Sequence, residues 1–278
     1  MKLLKLKREG ILVLILLMFL SGTVNAGPFT DKWDSFTKEE KAIGLNLGLA
    51  SLITIWGVGH WDYFQTSPKA TPEGWFDYDS GEGGADKMGH AFTSYALSHA
   101  MAATYRRWGF DYDTAGKYGA LSAWGVQAFM EFGDSFSRYG FSYEDFLANT
   151  IGSAVGYLSW KYPDIQEKVD FRLEYAPDFS ESDFFTDYEH QKFVLAFKLA
   201  GYDSFRNTPL KYLEFQTGYY SRGYDNQFLS DNERIVYFGI GINLSQIARQ
   251  TGHKKLGTFL RYYQVPYTYL PIKHEFDD

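Results

Sequence analysis

Apolar residues recur at helical spacing through the first half of the chain, in stretches rich in Ala, Gly, Leu and Met. The acidic residues Glu39 and Glu40 follow Thr37, as in the first turn of a helix. Asp113 is a candidate cap of a later helix, and Ser142 precedes an acidic residue by three positions, which is a variant of the capping box. The pattern predicts four helices, Ile43–Tyr63, Ala85–Trp108, Thr114–Phe136 and Ser142–Trp160.

After Pro163 the period of the pattern changes to two. The clearest alternation runs from Val236 to Leu244, where branched or aromatic residues alternate with Tyr, Gly and Asn. Because successive side chains of a strand point to opposite faces, each such segment has one apolar face. The segments with this pattern are Phe193–Leu199, Leu213–Tyr219 and Val236–Leu244. Thr258–Val265 is a weaker strand, and Phe171–Tyr175 is a further candidate. The sequence therefore predicts an α+β fold, with an N-terminal bundle of about four helices followed by an antiparallel meander of four or five strands.

Two segments raise the question of a membrane. Strands with one apolar face also suit an outer-membrane barrel, but four or five strands are too few to close one, since the smallest use about eight. We therefore interpret the strands as a sheet packed against the helices. The segment Leu45–Val58 is the most apolar one after residue 26, but Asn46 and glycines dilute it. It could lie against a bilayer or form a core helix, and we favour the core helix.

The first 26 residues read as a secretory signal peptide. Lys and Arg residues precede an apolar run from Ile11 to Leu20, and Val24-Asn25-Ala26 supplies a small-residue cleavage site. The run is far shorter than the roughly 20 residues that cross a membrane. We predict an exported protein located in the periplasm or associated with the outer membrane. The predicted organisation is a signal peptide (1–26), a helical domain (27–163) and an antiparallel β region (164–278).

Charge and composition exclude several classes of protein. Removal of residues 1–26 takes away four basic residues and one acidic residue, so the net charge moves from −7 to about −10, which argues against nucleic acid as a partner. Aromatic residues make up 19% of the chain, which is typical of either a membrane interface or a Tyr-rich sheet core. We therefore consider association with outer-membrane or envelope lipid. The sequence contains no cysteine, which excludes disulfides, thiolate metal ligands and lipid attachment through cysteine.

Ionisable residues recur at helical spacing in three of the predicted helices. Residues three or four positions apart lie on one face of a helix, so such residues form a polar row on each helix. Arg138 lies in the connection between the third and fourth helices. The rows are Asp86 and His90 with the adjacent Lys87, Glu131 with Asp134, and Asp145 with Asn149.

If the three rows converge, they place several charges inside the bundle, where charges are costly unless paired or bound to a ligand. Three interpretations follow. A structural network would pair Lys87 and Arg138 with the acids. A divalent metal site would use His90, Glu131 and Asp134, a donor set that suits Zn, Mn or Fe. An acid–base site would use His90 beside a glutamate of raised pKa.

The residues of these rows resemble two related families. Residues 86–95, DKMGHAFTSY, resemble the D-K-x-x-H-x-x-x-x-Y signature of VanZ-like proteins and are similar to envelope proteins of the YfiM type, which are described as predicted periplasmic lipoproteins. Glu131 and Asp134 match an acidic residue followed three positions later by a polar one. Arg138, Ser142, Asp145, Asn149 and Gly152 fit the pattern R-x-x-x-S-x-x-D-x-x-x-N-x-x-G. The resemblance covers about a quarter of the chain.

The resemblance implies a shared functional site but no particular reaction. VanZ-like members are membrane proteins linked to glycopeptide tolerance, and the YfiM type has no assigned activity. The YfiM type usually carries a lipobox cysteine, which this sequence lacks.

Two hypotheses of function follow. The first is an envelope protein with a binding or structural role through the His/Asp/Glu cluster, with Asp86, Lys87, Asp134, Arg138 and Asn149 as ligand-binding residues. The second is an enzyme that acts on a lipid or cell-wall precursor by acid–base or metal-assisted chemistry. Its catalytic residues would be His90, Glu131 and Asp145.

Overall fold

The computed structural model describes residues 33, 35–176, 187–224 and 232–275. The predicted signal peptide lies outside these residues. The first half of the described chain folds into four long helices, and the second half is built mainly on an antiparallel sheet, so the predicted α+β fold is confirmed. The long helices are α1 (Lys38–His60), α2 (Ala85–Arg107), α3 (Tyr112–Asp134) and α4 (Tyr143–Lys161).

The helix starts follow from local side-chain caps. Thr37 forms a full capping box with Glu40 at the start of α1, and the Ser142 hydroxyl accepts a hydrogen bond from the Asp145 amide at the start of α4. The predicted cap of α3 was wrong by two residues. The cap is Asp111, because its side chain accepts from the Thr114 amide while Asp113 lies inside the first turn.

Helix α2 is the central helix of the bundle, and glycines bring its neighbours close to it. A Cβ atom at Gly119 of α3 would lie 2.6 Å from the Ser98 carbonyl oxygen of α2. A Cβ atom at Gly152 of α4 would lie 2.1 Å from the Ala91 carbonyl oxygen. Both distances are too short for any other residue, so these glycines fix the close contact of α2 with α3 and α4.

The sheet is a meander of five strands in chain order. Its strands are β1 (Val169–Tyr175), β2 (Gln191–Lys198), β3 (Leu213–Arg222), β4 (Glu233–Ile242) and β5 (Tyr269–Glu275). Short helices connect these elements, namely α5 (Pro163–Lys168), α6 (Asp203–Arg206), α7 (Leu244–Gln250) and α8 (Lys254–Phe259).

The strand predicted over Thr258–Val265 was wrong. This stretch completes α8, turns, and forms only one isolated parallel bridge, between Tyr263 and Leu173, and the last strand starts at Tyr269. Leu256 and Phe259 are three residues apart, as on one face of a helix, and this spacing accounts for the helical start of the stretch.

The sheet packs against the helices through its first two strands, as predicted. Phe92 of α2 contacts Phe171 of β1 edge-to-face, with ring centroids 5.4 Å apart, and also contacts Phe193 of β2. Tyr95, one turn further along α2, packs on Phe171 and Tyr262. These rings form the hydrophobic core between the two halves.

The sheet curls so that its two edges approach each other. At one edge, the Leu173 amide of β1 donates to the Tyr262 carbonyl, and the Gln264 amide donates to the Leu173 carbonyl. The chain then reaches β5, at the opposite edge, five residues later at Tyr269, a distance of at most about 18 Å. The Lys192 ammonium of β2 hydrogen-bonds to the Tyr269 hydroxyl at 3.2 Å, across the inside of the curl.

The expectation that Leu45–Val58 is a core helix was wrong. Along α1 only Trp56 and Gly57 are buried, and large apolar side chains such as Ile55 point outwards, with 68% of that residue exposed. Among the described residues α1 is also the one helix that is long and apolar enough to cross a membrane. The physical reason for the exposure is that α1 packs mainly against α3 alone, so a single neighbour covers it.

Candidate functional site

The three polar rows converge at one end of the bundle, where α2 and α4 begin and α3 ends. Helix α2 supplies Asp86, Lys87 and His90, and helices α3 and α4 supply Glu131 and Asp145. The close contact at Gly152 brings the α2 and α4 rows together. Glu131 and Asp145 are buried, and the side chain of His90 is 14% exposed. We call this group, with Glu73 and Asn149, the helical cluster.

Lys87 occupies the middle of three carboxylates. Its ammonium lies 2.6 Å from Glu73 Oε2, 2.6 Å from Asp86 Oδ2 and 2.8 Å from Asp145 Oδ1. The side chain is almost fully buried, so these acids replace the water that an ammonium normally holds. Burial alone would lower the pKa of Lys87, but Asp86 and Asp145 raise it, so the charge is retained.

The imidazole of His90 lies between two other carboxylates. Its Nδ1 is 3.4 Å from Glu131 Oε1, and its Nε2 is 3.8 Å from Asp145 Oδ2. Burial disfavours the imidazolium, but Asp145 and Glu131 outweigh burial and raise the pKa of His90. The ring is therefore protonated in a wider pH range than a free histidine and links the acids of α3 and α4.

Asn149 connects the three helices through its amide. Its Oδ1 accepts from the Ser94 hydroxyl at 2.9 Å and from Gln127 Nε2 at 3.2 Å, and its Nδ2 donates to Glu131 Oε1 at 3.3 Å. Asn149 is fully buried, so removal of its amide would leave several polar groups without partners.

Asp134 and Arg138 occupy different places from those expected. Asp134 lies beside the cluster and close to Tyr63, whose hydroxyl donates to the Met130 carbonyl at 3.1 Å. Arg138 does not join the cluster. Its side chain is 67% exposed and pairs with Asp62, with 3.4 Å between Nε and Oδ2. The connection between α3 and α4 turns at Gly140, whose φ is +90°, and the Arg138 side chain points towards solvent.

The helical cluster contains more acidic than basic side chains, and the pKa values of several of these acids are raised. Burial, with Asp145 and Asp134 nearby, raises the pKa of Glu131 to about 8. Burial and Asp145 raise the pKa of Glu73 to about 7, and burial raises that of Asp134 to about 6. Asp145 differs, because His90 and Lys87 outweigh its burial and hold its pKa below the usual value. Glu131 is thus largely neutral at neutral pH, beside an imidazole whose pKa is raised.

Donor atoms for a metal ion lie close together in two sets, His90 with Glu131 and Asp145, and Glu73 with Asp86 and Asp145, each within 4.8 Å. The Lys87 ammonium fills the second set, so a metal ion there would have to displace it. In the first set one nitrogen of His90 and one oxygen each of Glu131 and Asp145 lie close enough to surround an ion, and the imidazole would have to be neutral to bind it.

The sequence pattern missed Glu73 and Tyr63. Glu73 lies in the Gly- and Asp-rich connection before α2, where an acidic residue is expected to face solvent. Because it is not part of a helix, no three- or four-residue spacing relates it to the polar rows. Its side chain is 28% exposed, so together with Asp86 it forms the accessible side of the cluster. Two surface depressions that the structure shows involve α7 and α8, and no residue of the cluster lines them.

A second buried network, also not predicted, lies on the inner face of the curled sheet. Arg172 binds Glu214 through two hydrogen bonds of 2.6 and 2.9 Å, and its Nη2 donates to Asp170 at 3.0 Å. Asp170 also accepts from Lys198 at 2.6 Å and from Arg261 at 3.1 Å. We call these five residues the sheet network. The four strand residues among them are nearly inaccessible to solvent.

Comparison with known families gives one match. The family model described as "Predicted periplasmic lipoprotein (DUF2279)" matches residues 72–161, which contain every residue of the helical cluster. The match covers about a third of the chain and includes no strand. Comparisons with curated proteins and with solved structures gave no significant match.

The match supports part of what the sequence suggested. It is consistent with an exported, periplasmic protein of a family of unknown function. The family description includes lipid anchoring, and the 278-residue sequence has no cysteine that could carry the lipid. The VanZ-like resemblance and the association with the outer membrane stay predictions.

Proposed function

We propose that this chain is an exported cell-envelope protein of the periplasm or the outer membrane, and that the helical cluster has a structural role in it. The observation that carries the proposal is the position of two side chains between carboxylates: the Lys87 ammonium contacts three of them, and the His90 imidazole lies between two. Protons on Glu131 and Glu73 offset part of the excess of carboxylates. The cluster links the starts of α2 and α4 to the end of α3.

Thermal unfolding of His90→Ala and Glu131→Gln tests this proposal. Loss of His90 leaves Asp145 and Glu131 without their shared partner, so the variant should melt several degrees lower, as expected for a loss of about 1–3 kcal/mol. Glu131→Gln keeps the shape of a carboxyl that is neutral at pH 7, so it should melt close to the wild type. Leu147→Ala, on an exposed face of α4, is the control. Two variants that melt like the wild type would contradict a structural role.

A second candidate is an enzyme that acts on a lipid or cell-wall precursor. The specific observation in its favour is the neutral Glu131 beside His90, because a proton donor and an imidazole in contact can perform acid–base catalysis. The accessible side of the cluster at Glu73 and Asp86 would admit the substrate. Variants that fold normally yet lose an envelope phenotype would favour this candidate, and variants that only lose stability would favour the structural role.

A further inference from the structure

The outward faces of three helices consist of exposed apolar side chains. Helices α3 and α4 bury mainly small or polar residues, and α1 buries only Trp56 and Gly57. Large apolar residues of all three helices are exposed. The exposed residues are Ile43, Leu47, Ile55, Val58, Tyr118, Leu121, Trp124, Phe129, Phe132, Leu147, Ile151, Val155 and Leu158.

The sheet presents a similar surface beyond the strip that α2 covers. Its apolar face is exposed from β2 to β5, and the exposed residues are direct neighbours in the strand register, such as Phe197 beside Phe215, and Phe215 beside Ile240. Leu270, which pairs with Ile240, is 80% exposed. The full set is Leu195, Phe197, Phe215, Phe238, Ile240, Ile242, Leu270 and Ile272. We call the exposed residues of the helices and of the sheet the apolar belt.

The belt contains no charged residue along its helical part. Residues 42–59, 118–130 and 146–160 contain no Asp, Glu, Lys or Arg, and at 1.5 Å per residue they are about 27, 20 and 22 Å long. Charged residues begin directly beyond both ends, for example Lys38 and Glu39 at one end and Asp62 and Arg138 at the other. An apolar layer between two charged rims matches the charge profile of a lipid layer, whose hydrocarbon core is about 30 Å thick.

Beside its hydrophobic cores, the interior holds many polar and charged side chains. The helices bury Gln127, Asn149 and the helical cluster, and the sheet buries Arg172 with its partners. In water, such an arrangement would expose apolar surface and bury charge at the same time, and both are unfavourable. Next to lipid, exposure of the apolar side chains is no longer unfavourable, and the buried polar groups form hydrogen bonds and ion pairs with one another.

A second copy of the chain fits the belt less well than lipid does. The helical and the sheet parts of the belt belong to elements packed on different sides of α2, which contacts α3 and α4 as well as β1 and β2. A symmetric dimer or a single protein partner covers one patch, whereas lipid acyl chains contact a surface from all sides.

We propose that the apolar belt lies against the acyl chains of an envelope membrane. This inference rests on the envelope location of the proposed function but is independent of the role of the helical cluster. The occupant is phospholipid, and the charged rims at both ends of the belt lie at the level of the headgroups or in water.

The absence of native cysteines permits a direct test with single-cysteine variants of the full chain. Leu121→Cys on α3 and Ile240→Cys on β4 report on the belt, and Asp113→Cys and Glu233→Cys on the same two elements are the matched rim controls. Each variant carries a bimane label and is reconstituted in vesicles of phosphatidylethanolamine and phosphatidylglycerol. The vesicles contain lipid with a nitroxide either in the acyl chain or on the headgroup.

The acyl-chain nitroxide should quench the emission at both belt positions and leave both rim positions unchanged, while aqueous iodide should do the reverse. Equal iodide quenching at belt and rim positions in the presence of vesicles would overturn the proposal. Protection of the belt positions that rises with protein concentration in vesicle-free buffer would identify a second copy as the occupant and would also overturn it. Unfolding of the His90 variant is measured separately, so failure of the proposed function would be recognised independently.

Discussion

Each half of the molecule is held by a buried charged network, but the two networks differ in their balance of charge. The sheet network has three bases, Arg172, Lys198 and Arg261, for its two acids Asp170 and Glu214. The helical cluster has only Lys87 and His90 for its four carboxylates, with Asp134 as a further acid beside them.

The difference in balance decides how each network responds to pH. In the sheet network the bases outweigh burial and hold the pKa of Asp170 below its usual value, so Asp170 is ionised at neutral pH. Burial lowers the pKa of Lys198 to about 8, so this base loses its proton only above neutral pH. In the helical cluster burial raises the pKa of Glu131, so part of the charge is replaced by protons. The comparison indicates that the sheet network is rigidly paired, whereas the helical cluster adjusts its protonation.

Arg172→Met should have the largest effect on stability. It leaves Glu214 and Asp170 in the interior of the sheet with too few partners, and loss of one member of a buried pair costs about 3–5 kcal/mol. Chemical denaturation of the protein in detergent measures the change. The matched control is Arg206→Met, whose exposed pair with Glu167 should contribute at most about 1 kcal/mol. Equal effects at both positions would contradict the structural role of the sheet network.

Lys87→Met should lower the free energy of unfolding by about 2–3 kcal/mol at pH 7, because it removes the buried charged partner of three acids. This loss is smaller than that of Arg172→Met. The three acids around Lys87 include Glu73, whose pKa is already about 7, so protonation offsets part of the loss. The same denaturation experiment at pH 5 should therefore show a smaller loss than at pH 7. A loss that is larger at pH 5 than at pH 7 would disprove the assignment of the excess negative charge to this cluster.

The pH dependence of stability should separate the two networks next. The pKa of Glu131 is about 8 in the folded protein and about 4.5 when unfolded, so the folded state binds the extra proton and stability falls as the pH rises between these values. One such group contributes a slope of up to about 1.4 kcal/mol per pH unit. His90, whose pKa is also raised, acts in the same direction as the pH passes its folded value.

Glu131→Gln should flatten this slope, as measured by denaturation at pH 5, 6, 7 and 8. Asp170 acts in the opposite direction, because its lowered pKa means that its contribution is lost only as the pH falls below about 4. An unchanged slope from pH 5 to 8 in Glu131→Gln would show that this carboxyl does not hold the proton.

Arg138→Ala should have the smallest effect, a change within about 0.5 kcal/mol, because exposed ion pairs contribute little. The measurement sharpens the comparison, since Arg138 belongs to the same sequence motif as Asp145 and Asn149 but lies outside the cluster. A loss as large as that of Lys87→Met would place Arg138 within the network. Lys117→Ala, a change at an exposed cation of α3 away from this loop, is the control.

Local periodicity was sufficient to predict the fold class and most of the helical cluster. Residues spaced three or four apart lie on one face of a helix, so the spacing alone groups the polar side chains of α2, α3 and α4. Gly152 then allows α4 to contact α2 closely. Arg138 could not be placed in this way, because it lies in a turn whose direction depends on Gly140.

The sheet network could not be predicted from the pattern. Arg172 contacts Glu214 and Gln264, which are 42 and 92 residues away in sequence. Each of these residues reads as the polar half of an alternating strand or as a polar loop residue, and such positions normally face water. Alternation shows that a strand has two different faces, but it does not show which face the rest of the chain covers. In this protein the polar face is enclosed, and much of the apolar face is exposed.

The pairing of Leu173 with residues 262–264 constrains the order of assembly. The outer edge of β1 gains these hydrogen bonds only from a segment about 90 residues later in the chain, and β5 follows that segment. Contacts of such large sequence separation form slowly, and an unpaired strand edge promotes aggregation until it is covered. If the chain crosses a membrane from its N-terminus, the sheet remains open until almost the whole protein has emerged. We therefore expect the helical half to fold first and the sheet to need protection during export.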